Sequence, residues 1–103
     1  MAKFVLAYKG GGMAPSEAEQ KAAMAEWGRW FQSLGAAVVD GGSPFAQAQT
    51  IAADGSVKDG GSLSGYSIIN ADNLQAAVKH AKGCPILKAG GTIEVHEAIP
   101  IPM

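Results

Sequence analysis

Residues 63–85 read LSGYSIINADNLQAAVKHAKGCP, and the change of period inside this stretch decides the fold. From Leu63 to Asn70 the chain has the two-residue alternation of a strand, with Tyr66 and Ile68 on one face and Ser67 and Ile69 on the other. At Asp72 the period changes. Asp72 with Gln75 reads as the start of a helix, whose apolar positions Leu74, Ala77, Val78 and Ala81 recur at helical spacing. Gly83 and then Pro85 stop it. A strand running straight into a short amphipathic helix is half of a β-α-β unit.

The same grammar holds on either side. Residues 3–9 alternate Phe4, Leu6 and Tyr8 against Val5 and Ala7, and Gly10-Gly11-Gly12 ends the run. Pro15, Ser16 and Glu19 form a capping-box start for a helix that continues to Leu34, with Gly35 in the C′ position. At 100° per residue, Ala23, Trp27, Trp30, Phe31 and Leu34 fall within an arc of roughly 100°, the width of a core-facing stripe. Ala36 to Val39 read as a second strand ended by Asp40-Gly41-Gly42. Residues 47–58 read as a hairpin turning at Asp54-Gly55, and Asp59-Gly60-Gly61 as a further break. Thr92 to Ala98 form the last strand, Ile93 and Val95 opposite Glu94 and His96. Pro100 and Pro102 keep the tail 99–103 out of any central strand.

The order β-α-β, hairpin, β-α-β predicts an α+β protein: a ferredoxin-like antiparallel sheet with two helices on one face and a β-hairpin insertion. Two helices cover one sheet face only, yet the strands at 4–8 and 66–69 carry apolar residues on both. A second copy is the cheapest cover, so the sequence predicts a homodimer.

Composition narrows the function. A chain of 103 residues, nearly half hydrophobic, suits one domain with a real core. Eight basic and nine acidic side chains are scattered without a basic stripe, which argues against a nucleic-acid partner. The single cysteine, Cys84, precludes an intrachain disulfide and fits a reducing, cytoplasmic setting. The N-terminal apolar run is too short for a leader or a membrane span, so no membrane role is expected. Two histidines far apart give no metal-ligand spacing, and Gly10-Gly11-Gly12 lacks the lysine of a phosphate loop. No cofactor is therefore expected.

Several stretches resemble the YCII-related family, and more closely its DGPF branch: FVLAYKG (4–10), SLGAAVVDGG (33–42), ADGSVKDGG (53–61), LSGYSIINADNLQAAVKHAKGCP (63–85) and GGTIEVHEAI (90–99). Their order and spacing span nearly the whole chain, so the resemblance implies one YCII-related (DGPF-like) domain over 1–103 that pairs as a dimeric α+β barrel. Two departures stand out. The branch's Asp-Gly-Pro-Phe motif here reads Asp59-Gly60-Gly61-Ser62, so only the turn carries over. The helix at 16–34 lacks the histidine that a proposed His-Asp enzyme site in YciI-like members would require.

The candidate catalytic residues are Asp40 and His96. Asp40 is either a turn former before Gly41-Gly42 or a base at a strand end. His96 either faces solvent on an edge strand or meets a carboxylate under the dimer. His80, outside the apolar arc of its helix, reads as a surface residue. Candidate ligand-binding residues are Trp27 and Trp30, read mainly as core; Ser43 and Phe45, on a rim loop 40–45; and Tyr66, which either orients a ligand or packs. The leading expectation is a homodimer holding a small organic molecule between helices and sheet. The alternatives are a YciI-like enzyme using Asp40 with His96, or a structural or regulatory interaction module.

Overall fold

The computed structural model describes residues 1–11 and 16–102; Gly12, Pro15 and Met103, named above, lie outside the described residues. Strand β1 (Ala2–Lys9) is followed by helix α1 (Glu17–Leu34), β2 (Val38–Pro44), a hairpin of β3 (Gln49–Ile51) and β4 (Val57–Asp59), β5 (Gly65–Ala71), helix α2 (Leu74–Ala81) and β6 (Thr92–Ala98). Four strands form one antiparallel sheet in the order β2-β5-β1-β6, the ferredoxin-like order, and β3-β4 make a separate ribbon.

Register assigns every side chain to a face. Phe4 pairs with Ile69, Leu6 with Ser67 and with Val95, and Tyr8 with Gly65 and Ile93. These residues lie under the helices, where Phe4, Leu6, Ile69 and Ser67 are fully buried. Helix α2 contributes two small buried residues, Ala77 and Ala81, and α1 contributes Trp30. The opposite face carries Val5, Ala7, Tyr66 and Ile68, and among the described residues no helix lies over it. The molecule is accordingly a slab, 43 × 37 × 19 Å.

The caps follow from the sequence in one case and shift by a residue in the other. Ser16 Oγ accepts the amide of Glu19 at 3.2 Å, as a capping serine should. In α2 the cap is Asn73, whose Oδ1 accepts the amide of Ala76 at 2.8 Å, and not Asp72. Both residues have the right chemistry, but Asn73 holds the extended backbone that a cap requires. Leu74, expected in the core, is the first helical residue and is 44% exposed.

The larger correction concerns residues 35–45. Gly35, at φ 56, leads into a short 3-10 turn over Gly35–Ala37, and the strand begins only at Val38. It then runs through Asp40-Gly41-Gly42 to Pro44 instead of ending there. A bulge makes this possible: Asp40 pairs with Ile68 and Ser43 with Tyr66, so three steps on β2 match two on β5. Gly42 sits in the bulge at φ 77, where a Cβ would lie 1.7 Å from the Tyr66 carbonyl oxygen. Only glycine fits there. The expected rim loop is therefore a bulged edge strand, with Phe45 just past its end.

The hairpin has the expected turn. Asp54 Oδ1 accepts the Ser56 amide at 2.8 Å, and Gly55 takes φ 89. It packs on little besides itself, leaving Ile51 and Val57, a cross-strand pair, 72% and 58% exposed.

Candidate functional site

The bare sheet face gathers most of the chemistry-bearing side chains. On its β2 side, Tyr66 Oη donates to Asp40 Oδ2 at 3.2 Å, while Asp40 Oδ1 accepts the Gly42 amide at 2.8 Å. The bulge sets this up, because it turns the Asp40 carboxylate toward its own strand's amide and the neighbouring phenol. The hydrogen bond to Asp40, and then the carboxylate's charge, raise the Tyr66 pKa above its ordinary 10. Phe45 stacks on Tyr66 with ring centroids 5.8 Å apart and an interplanar angle of 27°. Ser43 pairs with Tyr66 across the strands and is exposed beside it. The result is a flat aromatic patch with a phenol-carboxylate pair at one edge.

On the β6 side, Glu94 receives Lys9 Nζ at 2.6 Å through one oxygen and His96 Nε2 at 2.8 Å through the other. Lys9 first, then His96, hold the Glu94 carboxyl below the usual value. Sequence reasoning missed Lys9 and Glu94. The available signal was the Glu-Val-His alternation, which places two ionisable groups on one strand face.

Asp40 and His96 do share that face, and even one row. Asp40 pairs with Ile68, Ile68 with Val5, and Val5 with His96. They stand at opposite ends of it, three strand spacings or about 14 Å apart. Within one chain the two candidate catalytic residues do not meet.

Nor do the candidate ligand-binding residues form one pocket. Trp27 and Trp30 lie on the helix side and Tyr66 on the other, with the sheet between them. Tyr66 is opposite Ala7, and β1 presents its even-numbered residues to the helices. The expected cavity between helices and sheet is filled. Trp27 packs edge-on against Tyr8 at 5.3 Å and against Trp30 at 5.7 Å, and Phe31 closes on both indoles. Tyr8 Oη donates to Ser67 Oγ at 2.7 Å, which donates on to the Gly41 carbonyl at 2.8 Å. Burial pushes the Tyr8 phenol well above its usual pKa and the Cys84 thiol to about 11, so neither ionises near neutrality.

Trp30 also donates its indole N–H to the His80 carbonyl at 3.0 Å, and floors a shallow groove of about 450 Å³ between α1 and α2, flanked by Ser33, Lys79 and His80. The indole donor is already spent on backbone, so the groove offers a ligand little beyond a flexible lysine and an imidazole. Among the described residues, no group of three or more His, Cys, Asp or Glu side chains could hold a metal ion, and no helix is long and apolar enough to cross a membrane.

No protein-family model and no curated protein matches the sequence. In structure the chain is similar to 5-chloro-2-hydroxyhydroquinone dehydrochlorinase from Burkholderia phenoliruptrix AC1100, solved in complex with 2,5-dihydroxybenzoquinone. The TM-score is 0.59 at 20% identity, covering 94% of this chain and 93% of that one. The likeness is one of fold over nearly the whole length of both chains.

Proposed function

We propose that the chain is a small cytoplasmic YCII-related protein, one domain over residues 1–103, that works as a homodimer and binds a flat, oxygen-bearing organic molecule on the bare face of its sheet. The observation that carries this reading is the Phe45–Tyr66 stack with the Tyr66–Asp40 bond at its edge. A ring can stack on the aromatic pair while its oxygens meet a phenol and a carboxylate. Burying such a patch under a second copy would shield both the ligand and the half-exposed Val5 and Ile68 from water. The fold neighbour's own ligand, 2,5-dihydroxybenzoquinone, belongs to this chemical class.

The reading is tested by native mass spectrometry of protein from its own host, which reports subunit number and retained ligand together. Titration with 2,5-dihydroxybenzoquinone adds a defined probe. A dimer is expected, with Phe45→Ala weakening the probe's binding about tenfold through loss of stacking. A stable monomer, or a probe indifferent to Phe45→Ala, would count against it.

A second reading has one observation in its favour. Glu94 orients the His96 imidazole at 2.8 Å, as a carboxylate orients a general base. On this reading the protein is an acid-base enzyme on the same class of substrate, and turnover of a hydroxylated ring would abolish on His96→Ala and survive Trp27→Phe.

A further inference from the structure

The bare face is self-complementary in a way that fixes how two copies meet. Across the four strands one row reads Asp40–Ile68–Val5–His96, and the next reads Ser43–Tyr66–Ala7–Glu94. The first has an acid at one end, a base at the other and two aliphatic residues between. A twofold axis parallel to the strands, passing between β5 and β1, reverses each row onto its partner. Ile68 then meets the partner's Val5, and the large Tyr66 meets the partner's small Ala7. Asp40 meets the partner's His96. An axis laid along the row would instead set acid on acid and base on base.

From this pairing of acceptor with imidazole and of large with small we infer that the dimer contains two composite sites, each built from Tyr66 and Asp40 of one protomer and His96 of the other. The inference rests on the homodimer of the preceding subsection and adds which residues meet across it. Sheets packed face to face lie about 10 Å apart, a gap that an aspartate and a histidine reaching toward each other can bridge. Both retain bonding capacity. The Asp40 carboxylate accepts one amide and one phenol and has lone pairs left. His96 Nε2 is held by Glu94, and Nδ1 makes no bond among the described residues. A hydroxylated ring entering such a site meets a phenol and carboxylate on one side and an imidazole on the other. The site is incomplete in either chain alone, where the same groups are about 14 Å apart.

Cross-linking with a short bis-methanethiosulfonate tests the geometry without any ligand. Asp40 and His96 are both exposed, and the native Cys84 is buried and out of reach. Mixed Asp40→Cys and His96→Cys subunits should be joined by that reagent at least about tenfold faster than either variant alone, since the isologous contact apposes unlike positions and a sheet spacing of about 10 Å is too wide for a direct disulfide. Rapid cross-linking of Asp40→Cys with itself would overturn the inference in favour of the other axis. Light scattering on the same samples separates the two proposals. A monomer overturns the dimer itself, whereas a dimer that fails to cross-link overturns only this pairing.

Subunit mixing gives an independent readout with 2,5-dihydroxybenzoquinone as probe. Asp40→Asn and His96→Ala should each bind it weakly. Re-equilibrated together they should recover about a quarter of the wild-type sites, because each mixed dimer regenerates one intact site of its two. No recovery would mean that each site lies within one protomer.

Discussion

The two faces of the sheet are made from the same strands, yet they have been put to different uses. Beneath the helices every polar group is committed: Tyr8 to Ser67, Ser67 to Gly41, Trp30 to the His80 carbonyl. Among the described residues no buried side-chain polar atom lacks a partner. On the bare face the polar groups other than Tyr66 sit at the ends of the rows, and they are paired in twos and threes with capacity to spare. The contrast teaches that the interior is chemically committed, whereas the bare face is where bonding capacity remains. The aromatic cluster of α1 is the easiest feature to mistake for a binding site, and it is the least available.

The comparison can be broken first where the effect is greatest. Phe4→Ala should cost about 4 kcal/mol in urea denaturation, because a fully buried ring leaves a cavity that the sheet and two helices cannot close. Ser67→Ala should cost about 2 kcal/mol by the same measurement, since it strands the Tyr8 hydroxyl in the core and removes two hydrogen bonds. On the bare face, Ile68→Thr should cost about 1 kcal/mol, and that loss should grow with protein concentration if the face is buried between copies. A concentration-independent loss would place Ile68 against solvent.

The smallest effects concern charge. The folded Glu94 carboxyl titrates below its ordinary 4.5, so its contribution to stability is fully present above that value and lost as the pH falls through the lowered one. The melting temperatures of wild type and Glu94→Gln should therefore differ at neutral pH, converge in acid, and differ less in high salt. Ultraviolet titration of Asp40→Asn should show one tyrosine ionising closer to 10 than it does in the parent protein, because the raising carboxylate is gone.

Where a segment's alternation was unbroken, the sequence was a good guide. Strands β1 and β6, the start of α1 at Ser16 and the Asp54-Gly55 turn stand where their residues place them, and β5 starts two residues later than Leu63, at Gly65. Strand β2 was misread because Asp-Gly-Gly has the chemistry of a turn, and only pairing with β5 shows that the same chemistry is making a bulge. The start of α2 was displaced because Asp72 and Asn73 are equally good acceptors, and backbone conformation chooses between them. The candidate site was legible residue by residue but not as an assembly. Asp40, Tyr66, Phe45 and His96 do lie on or beside one face, while Trp27 and Trp30 do not share it. That division depends on register between strands far apart in the chain, which a local period cannot report.

The bulge at Gly42 has one more consequence. An open sheet invites other strands to add themselves at its borders, and repeated addition makes fibres. Here the β2 border is kinked at Gly42 and ends at Pro44, which has no amide hydrogen to offer. The β6 border carries Glu94, His96 and Glu97, and a tail with Pro100 and Pro102 leads away from it. Both margins are thus blunted against runaway polymerisation, while the flat face between them stays open.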